Sequence, residues 1–264
     1  MKASLYSRIR TLAARHAGHV RELRRCLHQI PEASLNEHKT SALLRTELAE
    51  LGFKVKAGLG GTGLFATLEN GGRQKYVVLR ADIDGLPVHE SSHVPYDSLH
   101  PGYAHCCGHD GHAACLIGAA RVLGELKPEL DGRIGFLFQP AEENSRGAQE
   151  IIEAGIFCKR LPDAIIALHA WPNLPVGHVA GKTGAMMAAS DSFTITVYGK
   201  GGHGARPHQA RNPMLAMARI APALAALTNH ERVISPCVFK VGDKSNVIAE
   251  SGIIQGTLRT LAET

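Results

Sequence analysis

The sequence predicts an α/β fold: a mixed-sheet α/β sandwich joined to a smaller α+β domain. Two observations carry this. Helix and strand signals alternate through the first part of the chain, the pattern of strands covered by crossover helices. Near Met186–Ala189 the character changes to a strand, a helix and then consecutive strands. A boundary there gives domains of residues 1–186 and 187–264.

The elements follow in order. A first helix runs to about Ile30 and is stopped by Pro31. A second covers roughly Glu37 to Leu51, with Gly52 as its C-terminal stop. Short β-rich runs follow at Phe53–Lys56, Gly63–Leu68 and Tyr76–Arg80. The Tyr-Val-Val-Leu run in the last fits a strand buried on both faces. Then come a helix from about Gly111 to Leu126, a strand at Arg133–Phe138, a helix near Gly147–Ala154 and a strand at Ala164–Leu168. In the second domain Phe193–Tyr198 alternates as a strand and runs into Gly-Lys-Gly-Gly-His-Gly. A helix from Asn212 to Thr228 and strands at Val233–Val241, Asn246–Ile248 and Ile253–Leu261 complete it.

Composition excludes several functions. The net charge of +5 is mild and its arginines are scattered, with five Tyr and one Trp for stacking. A nucleic-acid surface needs a denser basic stripe. No apolar run reaches membrane-spanning length, and the N-terminus reads as an amphipathic helix without the apolar core of a signal peptide. The six cysteines have no disulfide-framework spacing, so they read as reduced thiols of a cytoplasmic protein. Cys26, Cys115, Cys158 and Cys237, set among apolar neighbours, are expected to be buried.

Five segments bear chemistry, the first four expected where a strand gives way to a loop. Arg80-Ala81-Asp82-Ile83-Asp84-Gly85 places two acids at a strand end, able to bind a metal or orient a ligand imidazole. His105-Cys106-Cys107-Gly108-His109-Asp110-Gly111-His112 packs three imidazoles and two thiols into eight residues, a density that suits a transition metal. Cys107 and His109 flank Gly108 and can bind from one turn. His105 and Asp110 are supporting candidates, Asp110 sitting at a helix start where it also reads as an N-cap, while Cys106 and His112 have no assigned task. Gln139-Pro140-Ala141-Glu142-Glu143 pairs two carboxylates, one suited to ligation and one to proton transfer. Leu168-His169-Ala170-Trp171 closes another apolar strand, and Gly201–His208 offers His203 in a glycine-rich turn.

In their order along the chain these segments, with Leu27-His28-Gln29-Ile30-Pro31-Glu32 before them, resemble the metal-dependent amidohydrolases of the aminoacylase and hippurate hydrolase type, which include plant auxin-conjugate hydrolases. The resemblance implies hydrolysis of N-acyl amino acids, hippurate-like or N-acetyl, with a dipeptidase or a non-catalytic remnant as alternatives. It implies two divalent ions, zinc or manganese (or cobalt or nickel), held by Cys107, His109, Glu143 and His169. Glu142 would be the general base toward the attacking water, and Asp84 the acid that orients the machinery. The second domain would be a lid through which a homodimer forms, with His203 serving a developing oxyanion in the partner subunit's site. Asn246 and Arg259 would hold the substrate carboxylate. Relatives of this kind continue past the equivalent of Thr264 with the rest of the lid and a further metal-binding histidine. If 264 residues is the natural length, the resemblance therefore implies a truncated lid and a weakened second metal site; the alternative is a fragment or disrupted copy of a longer enzyme.

Overall fold

A computed structural model describes residues 4–71 and 75–261. The chain forms two compact units, residues 1–173 and 174–264.

The first unit opens with α1 (Leu5–His28), capped by Ser4, whose hydroxyl accepts the Ser7 N–H at 3.2 Å. Helix α2 (His38–Glu50) ends before Gly52, which takes φ +77°. Strands β1 (Val55–Leu59), β2 (Gly63–Asn70) and β3 (Tyr76–Asp82) follow, then α3 (His109–Glu125), β4 (Gly132–Gln139), α4 (Gly147–Glu153) and β5 (Ala164–Ala167). They build one mixed sheet in the order β1-β2-β4-β3-β5. Strands β3, β4 and β5 run parallel, while β1 and β2 are antiparallel additions at one side.

The two sides of this sheet carry different cores. Leu23 and Leu27 of α1, Leu44 and Leu48 of α2 and Ala113, Ala114 and Ile117 of α3 pack with Leu64, Phe136 and Phe138. A second cluster joins Phe65, Tyr76, Val78 and Leu137 to Ile151 of α4. The chain passes from β3 through α3 to β4, then through α4 to β5 on the other side of β3. Parallel order therefore reverses around β3, and at such a switch point loops at the strand C-termini part to leave a crevice.

Three expectations are corrected. Strand β3 is fully buried at Tyr76 and Val78, but Val77 and Leu79 are half-buried, and the edge strand β5 leaves Ile165 and Ile166 about half exposed. The His105–His112 block is not at a strand end. It enters α3 directly, and the N-cap is Gly108 at φ +89°, not Asp110, because only a left-handed residue turns the chain this sharply. Cys26, Cys115, Cys158 and Cys237 are exposed. In α1, Leu23 and Leu27 take the inward positions and turn Cys26 outward.

In the second unit, β6 (Ala189–Tyr198), β10 (Ser251–Thr260) and β8 (Arg232–Val241) form a three-stranded antiparallel sheet. Helix α5 (Pro213–Ala225) is capped by Asn212 and sends the buried Met217 against Gly252. A short ladder pairs β7 (Gly202–His203) with β9 (Val247–Ile248). No described helix is long and apolar enough to cross a membrane.

Candidate metal centre

Parallel pairing brings the chemistry of the first unit together. Asp82 at the end of β3 is in register with Gln139 at the end of β4, and Arg80 with Ala167 of β5. The loops leaving these three strands carry Asp84, Glu142 and Glu143, and His169, while Cys107 lies just before the Gly108 N-cap of α3 and His109 is the helix's first residue. The donor atoms of Cys107, His109 and His169 lie within 4.8 Å of one another, and so do those of His109, Glu142 and Glu143.

Backbone groups fix the imidazoles. His109 is fully buried and donates Nδ1–H to the Asp84 carbonyl oxygen at 2.9 Å, with the Asp84 carboxylate 3.2 Å away. Its Nε2 is buried without a hydrogen-bond partner, 3.8 Å from carboxylate oxygens of Asp82, Glu142 and Glu143. His169 donates Nδ1–H to the Ala170 carbonyl at 2.7 Å, and its Nε2 stands 3.4 Å from Cys107 Sγ. In both rings a carbonyl holds one nitrogen and aims the other's lone pair at the cluster, the arrangement typical of metal-ligating histidines. A buried, unpartnered Nε2 beside a thiol and several carboxylates fits a divalent transition metal.

The glutamates ride on a strained turn. Ala141 adopts φ +52° and Ser145 φ +60°, unusual for residues with a Cβ. The fully buried Glu37 holds this turn, accepting the Ala141 and Leu35 N–H groups, both at 2.9 Å, on one oxygen and the Thr62 hydroxyl on the other. Asp84 accepts the Glu143 N–H at 3.1 Å and the Ser34 hydroxyl at 2.7 Å. Sequence reading passed over Glu37, because one acid before a helix looks like an ordinary helix start.

The charges divide the acids. Burial raises the Glu142 pKa, with Glu143 and Asp82 adding to it against the pull of His109. Asp84 goes the other way: burial would raise it, but hydrogen bonds from His109, Ser34 and the Glu142–Glu143 backbone lower it. Burial would lower His109, yet its bond to Asp84 and the surrounding carboxylates raise it. Burial and Glu143 push the Cys107 thiol up to about 12, so a nearby cation is what would make it a thiolate.

Other candidates fall elsewhere. Asp110 spends one oxygen on His28 Nδ1 and Arg24 Nε, both at 2.7 Å. His105 is buried with neither ring nitrogen hydrogen-bonded, and burial brings its pKa down to about 4. Neither belongs to the donor clusters found among the described residues. His203, Asn246 and Arg259 belong to the second unit. There the Gly204 N–H donates to the Asn246 carbonyl at 2.8 Å, next to the short ladder in which His203 pairs with Val247. His203 Nδ1 accepts the Ala205 N–H at 3.1 Å, which leaves Nε2–H as the exposed donor. Arg259 is exposed near the end of β10.

Known proteins resemble this chain over most of its length. The chain is 40% identical over 244 residues to the N-acetyl-L-cysteine deacetylase of Bacillus subtilis, covering 90% of this chain and 58% of that protein. It is 36% identical over 253 residues to the hippurate hydrolase of Campylobacter jejuni, covering 92% and 65%. The chain thus spans roughly 60% of the length of these curated relatives. A dinuclear metal-binding peptidase from Bacillus subtilis superposes with a TM-score of 0.81 at 33% identity, over 96% of this chain and 66% of that one. Residues 78–253 match peptidase family M20/M25/M40, a stretch that holds every donor of the cluster, and the chain belongs to that family.

Proposed function

We propose that the chain serves metal-dependent hydrolysis of the amide bond of N-acyl amino acids. One observation carries the reading: buried His109, whose Nε2 is unpartnered, belongs to two donor groups whose atoms lie within 4.8 Å of one another, one with Cys107 and His169 and one with Glu142 and Glu143. The names of the deacetylase and hippurate hydrolase relatives support the substrate class.

Cys107, His109, Glu143 and His169 would hold two divalent ions, zinc or manganese. When bound, such ions supply Lewis acidity that polarises the amide carbonyl and acidifies water. The chain's own residues do the rest. Glu142, its carboxyl pKa raised and its side chain 39% exposed, takes the proton of the attacking water and returns it to the leaving amine. Asp84 orients His109 and the backbone of Glu143. In a dimer, His203 would donate Nε2–H toward the oxyanion in the partner subunit's site, and Asn246 and Arg259 would recognise the substrate carboxylate. A homodimer through the second unit and a cytoplasmic setting belong to the same reading.

The test is release of free amino acid from hippurate, N-acetyl amino acids and dipeptides by the chain loaded with zinc or manganese. Chelator-sensitive release from the N-acyl substrates is expected. Release confined to dipeptides would replace the acyl assignment, and bound metal with no turnover of any amide would overturn the catalytic reading.

A further inference from the structure

His112 has both ring nitrogens committed. The Ala170 N–H can only donate, so His112 Nε2 accepts it, at 2.8 Å. That fixes the tautomer, and Nδ1–H donates to Asp82 Oδ1 at 2.6 Å. Asp82 is itself anchored, its other oxygen 2.8 Å from Arg80 Nη1, while Arg80 Nε reaches Gln139 Oε1 at 3.0 Å. On the far side of this chain of bonds, the Ala170 carbonyl accepts the Nδ1–H of His169 at 2.7 Å.

Two further facts tie these groups together. The His112 and His169 rings pack with centroids 4.6 Å apart. Gly108 keeps the approach open, since a Cβ there would lie 3.1 Å from the Ala170 Cβ and 3.7 Å from His112 Nε2.

We propose that His112 is a positioning residue for the metal centre and not a ligand. Backed by Asp82, it grips the peptide that joins His169 to Ala170, and this holds His169 Nε2 toward Cys107. The donor atoms of Asp82, His109 and His112 also lie within 4.8 Å of one another. With both His112 nitrogens spent, that group is a hydrogen-bonded brace. The inference rests on the metal-centre reading above.

Cobalt(II) titration of the metal-free chain tests it, followed by the thiolate-to-cobalt absorption that reports Cys107. His112→Phe removes both bonds. His112→Gln places an amide oxygen where Nε2 accepts, whereas His112→Asn is too short to reach Ala170. The expected result is a loss of cobalt affinity of about 10–100-fold in the Phe and Asn variants, with Gln close to the parent chain. Near-UV circular dichroism of the metal-free proteins establishes that each is folded, and if Phe does not fold, the Gln and Asn variants decide. Parent-like affinity and spectrum in the Asn variant would overturn the inference, and so would a Gln variant as weak as Asn. Absence of a thiolate band in the parent chain would instead overturn the metal-centre reading itself, with Cys107→Ser as the control for that band.

Discussion

His109 donates its Nδ1–H to the main-chain oxygen of Asp84 at 2.9 Å, and this bond decides which of its nitrogens can meet a metal. The carbonyl cannot change its role, so the lone pair of Nε2 points into the cluster whatever the Asp84 side chain does. Asp84→Ala removes the carboxylate contacts to His109, Ser34 and the Glu143 N–H but leaves that main-chain bond. Metal affinity is therefore expected to fall by about 10-fold, the lower end of the range for outer partners of ligands. Plasma emission on the dialysed variant at graded zinc concentrations measures this.

Glu142→Gln separates proton transfer from ligation. If Glu142 moves the proton, kcat falls by roughly 10²–10⁴-fold while metal content stays at the parent level. Loss of metal together with activity would make Glu142 a ligand and return the proton-transfer role to another group.

Glu37 supports the glutamate turn from a distance. Glu37→Ala strands the buried N–H of Ala141 and the Thr62 hydroxyl, and is expected to destabilise the first unit by about 2–4 kcal/mol. Glu37→Gln keeps an oxygen for the N–H groups, and the Thr62 hydroxyl can turn to accept, so about 1 kcal/mol is expected. Urea denaturation of the two variants gives the comparison; equal losses would show that the hydrogen bonds are not the reason Glu37 is buried.

Stability should depend on pH through His28, whose two nitrogens meet Asp110 at 2.7 Å and Glu90 at 2.8 Å. The hydrogen bond with Asp110 raises the His28 pKa above its ordinary 6.5, against burial and Arg24 and with help from Glu90. Burial would raise Glu90, but hydrogen bonds from Ser92, the Ser98 N–H and His28 lower it from 4.5 to about 2. The His28 contribution is complete below pH 6.5 and is lost as pH rises through the raised value. The Glu90 contribution is complete above pH 4.5 and is lost as pH falls toward about 2. Urea midpoints measured across pH should show both limbs, and His28→Gln should remove the alkaline one.

Gly147 starts α4 where a Cβ would fall 1.6 Å from the Pro140 carbonyl oxygen. Gly147→Ala must push the Pro140–Glu143 turn aside. A loss of about 1–3 kcal/mol in stability is expected, with turnover falling further than that loss explains because Glu142 is displaced. Thermal midpoint and kcat measured on the same preparation check both parts.

Most elements could be read from the sequence because their signals are local. Pro31 lies three residues past the end of the first helix and Gly52 two past the end of the second, and every strand but β7 overlaps a β-rich run that predicts it. The start of α3 could not be placed this way. Asp110 has the composition of an N-cap, but the left-handed Gly108 takes that position and Asp110 turns inward to His28. Exposure of the cysteines was hidden for a related reason. Apolar neighbours in sequence alternate around a helix, so Cys26 faces away from the leucines beside it.

By itself the sequence determined the kinds of donors, their order and the alternation that makes a mixed α/β sheet, because residue type and periodicity are properties of short segments. Only the tertiary structure decided which donors meet and which way each points. Parallel register set the ends of β3, β4 and β5 side by side, and carbonyls of Asp84 and Ala170 selected the free nitrogens of His109 and His169. The same folding gave His112, which has no assigned task in the sequence, a partner for each ring nitrogen, Asp82 and the Ala170 N–H. Hydrogen-bond direction depends on partners that lie far apart in the chain, and these become neighbours only after the sheet has formed.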